Sequence, residues 1–203
     1  EIPQPIEGVW MDKKINAIQN QLAISDWQGD TASGTNNLSY YDGALKIIDA
    51  DVTTIDGNPT GITVATGIDE TNIISILQGM WKLLPDNMKA MTKVNFNLGW
   101  DLYSCYINAL INANLFHFKG EDGNTTLHGT NVGIRPQTGL TGTDRIVLTN
   151  DDNVTIGMDG ENEEDNLEVW YSPDDRINKF NTAFKRGYQH AFGNQIVEFT
   201  LVP

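Results

Sequence analysis

Apolar side chains recur at helical spacing through the first half of the chain and at strand spacing through the second. "DKKINAIQNQLAI" sets Ile15, Ile18 and Leu22 on one stripe, which predicts a helix with Asp12 as its N-cap. "DGALKIIDA" reads as a shorter helix capped by Asp42. In "DETNIISILQGMWKLLP" one helical face carries Ile73, Ile76, Leu77, Met80, Trp81 and Leu84. Pro85, with no amide proton to donate, ends that helix. The period then drops to two. In "MTKVNFNLG", Thr92, Val94, Phe96 and Leu98 alternate with Lys93, Asn95 and Asn97, which predicts a strand. "GWDLYSCYINALINANLF" returns to helix, with Trp100, Tyr103, Ile107, Leu110 and Ile111 expected inward.

After Asn114 the texture changes. "RIVLTN", "VTIGMD", "LEVWYS", "KFNTAFKRGYQ" and "NQIVEFTLV" are short strand-like runs between turn residues. Helices with some strand, followed by a β-rich part, predict an α+β fold rather than a doubly wound sheet. Gly-rich polar loops recur at 29–37, 56–61, 119–133 and 159–166, and neither an internal repeat nor a low-complexity linker interrupts the chain.

Length and charge narrow the function. The 203 residues suffice for one large domain or two small ones. The longest greasy stretch, Tyr103 to Phe116, is broken by Ser104, Asn108, Asn112 and Asn114, and falls short of the roughly 20 apolar residues that span a bilayer. "EIPQPIEGVWM" has neither the basic nor the apolar region of a signal peptide, and no initiator Met precedes it. The expectation is a mature product or a cut piece. Thirteen Lys and Arg against 27 Asp and Glu give a net charge of −14, which argues against nonspecific binding to nucleic acid or an anionic membrane. Cys105 is the single cysteine, so no internal disulfide framework or cysteine-rich zinc site exists, and a small buried thiol on a helix face is expected.

Catalytic signatures are missing from the sequence. No GxGxxG follows a strand, and no GxxxxGK[ST], GxSxG or HExxH occurs. His117, His128 and His190 stand far apart and are expected on the surface or as satisfied core residues. "DADVTTIDGNPTG" brings Asp49, Asp51 and Asp56 near a glycine but fails the calcium-loop spacing. "NDDNVTIGMDGENEEDN" offers Asp151, Asp152 and Asp159 as weak metal candidates, with a solvated acidic loop as the plainer expectation. No catalytic residue and no cofactor is assigned.

The acidic run continues. Ten carboxylates lie within 151–175 with no Lys or Arg among them, and Arg176, Lys179, Lys185 and Arg186 follow at once. These four cations are candidates for pairing with carboxylates of a neighbouring subunit, against the plainer reading that they pair within the chain or with solvent. Trp81 and Trp100 belong to apolar stripes and are expected in the core. Trp27 in "SDWQGD" and Trp170 in "EVWYS" stand between core residue and interface anchor.

The order of these pieces resembles a known family. A helix leads to "DWQGD", then "SYYDGALKIID", then the helix "IISILQGMWKLLPDNMK" ending in Leu-Pro. "KVNFNLGWDLYSCYINAL" runs from strand into helix, and "IVLTNDDNVTIGMDGENEEDNLEVWYSPDDRINKFNTAFKRGYQHAFGNQIVEF" closes the series. Over roughly residues 10–203 this is similar to the C-terminal two-thirds of tailed-bacteriophage major capsid proteins of the Hong Kong 97-type fold. The resemblance implies an axial mixed α/β domain and a peripheral domain with a spine helix and long strands. Residues 1–39 would be the end of the spine helix and the entry to the axial domain. Residues 40–140 would be axial-like, and 141–203 a β-rich part shared between peripheral sheet and axial domain. It also implies a non-enzymatic virion subunit of a phage or prophage, made in the bacterial host cytoplasm. Such a subunit self-assembles into pentamers and hexamers that enclose DNA, without specific nucleic-acid binding or membrane contact. The family's N-terminal arm and extended two-stranded loop are not visible, and no cross-linking Lys–Asn pair can be assigned. A secreted or surface β-rich module of a gut bacterium, binding glycans or calcium, is the alternative. An enzyme would need His190 or His117 beside carboxylates in a pocket.

Overall fold

The computed structural model describes residues 6–35, 37–115, 126–158, 168–174, 177–181 and 185–203. In chain order the elements are α1 (Ile6–Gln28), α2 (Ala44–Ala50), β1 (Ile55–Asp56), α3 (Ile73–Leu83), α4 (Asp86–Lys89) and β2 (Val94–Leu98). Then follow α5 (Trp100–Asn112), β3 (Gly133–Pro136), β4 (Ile146–Asn150), β5 (Val154–Met158), β6 (Glu168–Ser172), β7 (Ile177–Asn181), β8 (Arg186–His190) and β9 (Val197–Phe199). The result is an α+β arrangement.

A five-stranded mixed sheet, ordered β1-β9-β4-β2-β3, organises the centre. β2 runs parallel to β3 and antiparallel to β4, with Phe96 opposite both Ile134 and Leu148. One face packs under α3 and α5: Phe96, Leu98, Leu148 and Phe199 meet Leu77, Met80, Leu102 and Tyr106 in one buried cluster. The other face carries a smaller cluster in which Val147 and Ile196 meet Ala44, Leu45 and Ile48 of α2 with Leu140 and Tyr188.

β2 is buried at all five positions, on its polar side as well. Asn95 donates to the carbonyl of Lys93 and to Asp151, and Asn97 accepts from Gln137. A central strand covered on both faces can keep polar residues only if their hydrogen bonds are made.

Several sequence expectations shift. α1 begins at Ile6, so Asp12 lies inside the helix rather than capping it. Gly43, not Asp42, caps α2, and the Asp42 carboxylate instead accepts from Thr31 and Lys46. "KFNTAFKRGYQ" supplies parts of two strands, β7 and β8, rather than one. In α5 the buried residues are Leu102, Tyr106, Ala109 and Leu110, while Trp100 is 50% and Ile111 53% exposed. Apolar residues surround nearly the whole of α5, so periodicity alone does not select its inner face. Packing on the sheet does: Leu102, Tyr106, Ala109 and Leu110 join the buried cluster of Phe96 and Leu148, with Tyr103 and Ile107 half-buried against it.

The chain between β4 and β9 leaves this sheet and returns to it. β5 pairs with β8 from Val154↔His190 to Met158↔Arg186, and β6 pairs with β7 from Glu168↔Asn181 to Ser172↔Ile177. The second pairing nests inside the first in sequence. So 141–203 divides between strands of the sheet (β4, β9) and two-stranded ribbons (β5 to β8).

Candidate assembly surfaces

Among the described residues α1 docks near its C-terminal end, against α2 and residues 138–140. Leu22, Ser25 and Asp26 are buried, whereas Gly8, Val9 and Trp10 and most of the next ten residues are exposed or half-buried. The docked end is held by backbone proximity. A Cβ on Gly43 would lie 2.6 Å from the Gly29 nitrogen, and one on Gly139 would lie 2.3 Å from the Ala23 carbonyl oxygen. Only glycine lets these segments approach so closely.

Arg186 fastens the β5–β8 ribbon to this end of α1. Its Nε and Nη2 donate to the two carboxylate oxygens of Asp26, each at 2.7 Å, and both side chains are largely buried. Tyr41 adds a third hydrogen bond to Asp26 at 2.7 Å. Burial first, and then the Asp26 carboxylate, push the Tyr41 phenol upward, so it stays a donor. Arg186, a sequence candidate for contact between subunits, is therefore engaged within the chain. Lys179 lies in register with Trp170 on the β6–β7 ribbon, and Lys185 is exposed just before β8. Arg176 lies outside the described residues.

Trp27 packs against the α2 cluster and sits against Gly139, whose added Cβ would meet the indole Cδ1 at 2.6 Å. It is half-buried and lines the groove between α1 and the sheet. Trp170 differs: it is 47% exposed, and its neighbour Tyr171 is 59% exposed.

The metal candidates are matched with cations. Asp151 accepts from Arg135 at 2.7 Å and from Asn95, and Asp152 accepts from Lys93 at 2.7 Å. Asp159 lies outside the described residues. Among the described residues no three His, Cys, Asp or Glu side chains gather as a metal site. Asp49, Asp51 and Asp56 likewise part company: Asp49 binds Arg145, Asp51 binds His190, and Asp56 accepts from the Asn58 amide.

Two networks that no sequence pattern indicated bind α2 to the strands. Arg145 donates to Asp49 and to Glu198, joining α2, the start of β4 and β9. Burial pushes the Glu198 carboxyl up to about 7, with Arg145 opposing and Asp49 reinforcing the rise. His190 meets Asp51 at 2.8 Å, and Asp51 also accepts from the Thr53 amide and hydroxyl. These bonds, His190 first, hold the Asp51 carboxyl down at about 2. The partners lie 53 to 160 residues apart in the pairs Arg145–Glu198, His190–Asp51 and Arg186–Asp26, beyond the reach of local spacing rules.

A groove of about 410 Å³ opens between α1, the polar face of the sheet and the β5–β8 ribbon, lined by Trp27, Asn97, Arg135, Gln137, Ile156 and Tyr188 among others. The His190–Asp51 pair does not line it. Cys105 on α5 is half-buried, and burial followed by the nearby Glu70, Asp69 and Asp101 carboxylates raises its thiol. No described helix is long and apolar enough to cross a membrane.

No protein-family model matches the chain. No curated protein matches it either. Among solved structures, a chain of the satellite phage P4 procapsid including size determination (Sid) protein is similar, with a TM-score of 0.63 at 9% sequence identity. The likeness covers 98% of this chain and 68% of that one. The chain thus has a phage capsid-like α+β fold.

Proposed function

We propose that the chain is a structural subunit of the icosahedral capsid of a tailed bacteriophage or prophage, of the Hong Kong 97 type. It self-associates into pentameric and hexameric capsomers that enclose DNA, and it works without a catalytic step or cofactor. The observation that carries the reading is the likeness to a phage procapsid chain over 98% of its length.

In this reading the five-stranded sheet with α2 to α5 forms the axial part, to which β4 and β9 from the C-terminal segment contribute. α1 and the two ribbons form the peripheral part. The exposed Trp170 and Tyr171 suit a subunit whose covering surface comes from another molecule. A net charge of −14 suits a wall that does not grip packaged DNA.

Electron microscopy of the full-length gene product tests the proposal. Shells or capsomers are expected on the grid. A product that sediments as a monomer at every concentration, with no particles, would overturn it.

A further inference from the structure

We infer that the groove between α1, the polar face of the sheet and the β5–β8 ribbon binds a small uncharged ligand through a carboxamide edge, a carbonyl and an N–H side by side on an apolar body. The inference goes beyond the assembly reading and does not depend on it.

Hydrogen-bonding capacity is left over in this groove. Of the side chains that line it, Asn97 is 7%, Thr149 3% and Tyr188 8% exposed. Polar groups so deeply buried are normally matched with partners. These are matched only in part. Asn97 Oδ1 accepts from Gln137 Nε2 at 3.1 Å, which links the two side-chain amides. Among the described residues, Asn97 Nδ2, Gln137 Oε1 and the Tyr188 hydroxyl make no hydrogen bond. The Thr149 hydroxyl reaches only the Asn150 carbonyl, at 3.5 Å. Neither Asn97 Nδ2 nor the Tyr188 hydroxyl is sealed in the interior, so a ligand in the groove can reach them.

Charge and shape select the ligand. The charged side chains at the groove are already paired, Arg135 with Asp151 and Asp26 with Arg186, both at 2.7 Å. An ionised ligand would shed its hydration and find no free counter-charge. Ala23 and Ala44 line the groove from the helices, and Val154 and Ile156 line it from β5. A sugar would leave hydroxyls against these apolar side chains without partners. The linked amides keep a donor on Asn97 and an acceptor on Gln137, the complement of a carboxamide edge. Asn97 donates to the ligand carbonyl, and Gln137 accepts its N–H. Tyr188, its phenol kept protonated by burial, supplies a second donor. The volume of about 410 Å³ falls within the range of small-molecule sites, about 300–1,000 Å³.

Ligand-observed saturation-transfer NMR on the full chain tests the site in any assembly state. Benzamide is the probe. Benzoate, which puts a charged carboxylate on the same ring, and glucose are the comparisons. Saturable transfer to benzamide is expected, with benzoate and glucose each bound at least about 10-fold more weakly. Tyr188→Phe and Gln137→Met, their folding checked by thermal melts, are expected to weaken benzamide binding about 3- to 10-fold. No transfer to benzamide at about 10 mM overturns the inference. So does benzoate or glucose binding as well as benzamide, or both variants binding it as the parent does. None of these outcomes touches the capsid reading, which stands or falls on particle formation.

Discussion

Glu198 shows how burial decides the chemistry of a side chain. Its carboxyl sits on β9 among the α2 contacts, and it shares the single positive charge of Arg145 with Asp49. Burial outweighs that share and lifts the group to about 7 from the ordinary 4.5. The folded chain therefore holds this proton more tightly than the unfolded chain. Its contribution to stability is complete below pH 4.5 and is lost as pH rises through 7. The loss amounts to at most about 3 kcal/mol. Glu198→Gln mimics the protonated form, so denaturant midpoints of the variant are expected to lack this part of the pH profile. Identical profiles for variant and parent across that window would refute it. No local pattern marks Glu198, because its partner Arg145 lies 53 residues away.

At the scale of elements, α2 depends on backbone contact rather than on a side-chain cap. Gly43 has extended angles, φ −84 and ψ 177, that any residue adopts. What it lacks is room, since an added Cβ would press on the Gly29 nitrogen and the Ser25 carbonyl oxygen. Gly43→Ala is expected to lower stability by about 1–3 kcal/mol through overpacking. Gly79 inside α3 is the control: a Cβ there meets nothing within 4 Å, and Gly79→Ala is expected to raise stability by about 0.5–1 kcal/mol. Chemical denaturation of both variants checks the pair, and a neutral Gly43→Ala would discount the contact. α3 was legible in the sequence because its buried face imprints a helical period, and β2 because its apolar residues alternate with polar ones, although both of its faces are buried. For α5 the period placed Leu110, Tyr103 and Ile107 against the core, but Trp100 and Ile111 continue the apolar pattern onto its exposed side.

For the molecule as a whole, burial is uneven. β2 and β4 are buried at every position, whereas both side chains of the Trp170–Tyr171 pair are exposed. Amide exchange of the unassembled chain is expected to be slowest in β2 and β4 and faster by orders of magnitude in β6 and β7. Equal protection across the two would mean that the ribbon has a cover within the chain.

The sequence by itself determined the α+β order, most of the elements, the acidic charge and the resemblance to a phage capsid subunit. Each of these is written in local period, composition or the succession of short words. Tertiary structure alone decided that Arg186 turns inward to Asp26, that Asp151 and Asp152 face Arg135 and Lys93, and that Trp27 packs half-buried against the α2 cluster while Trp170 stands 47% exposed. The physical reason is that an ion pair, or the cover over an aromatic ring, depends on which distant segments folding brings within a few ångströms, and neither period nor composition records that.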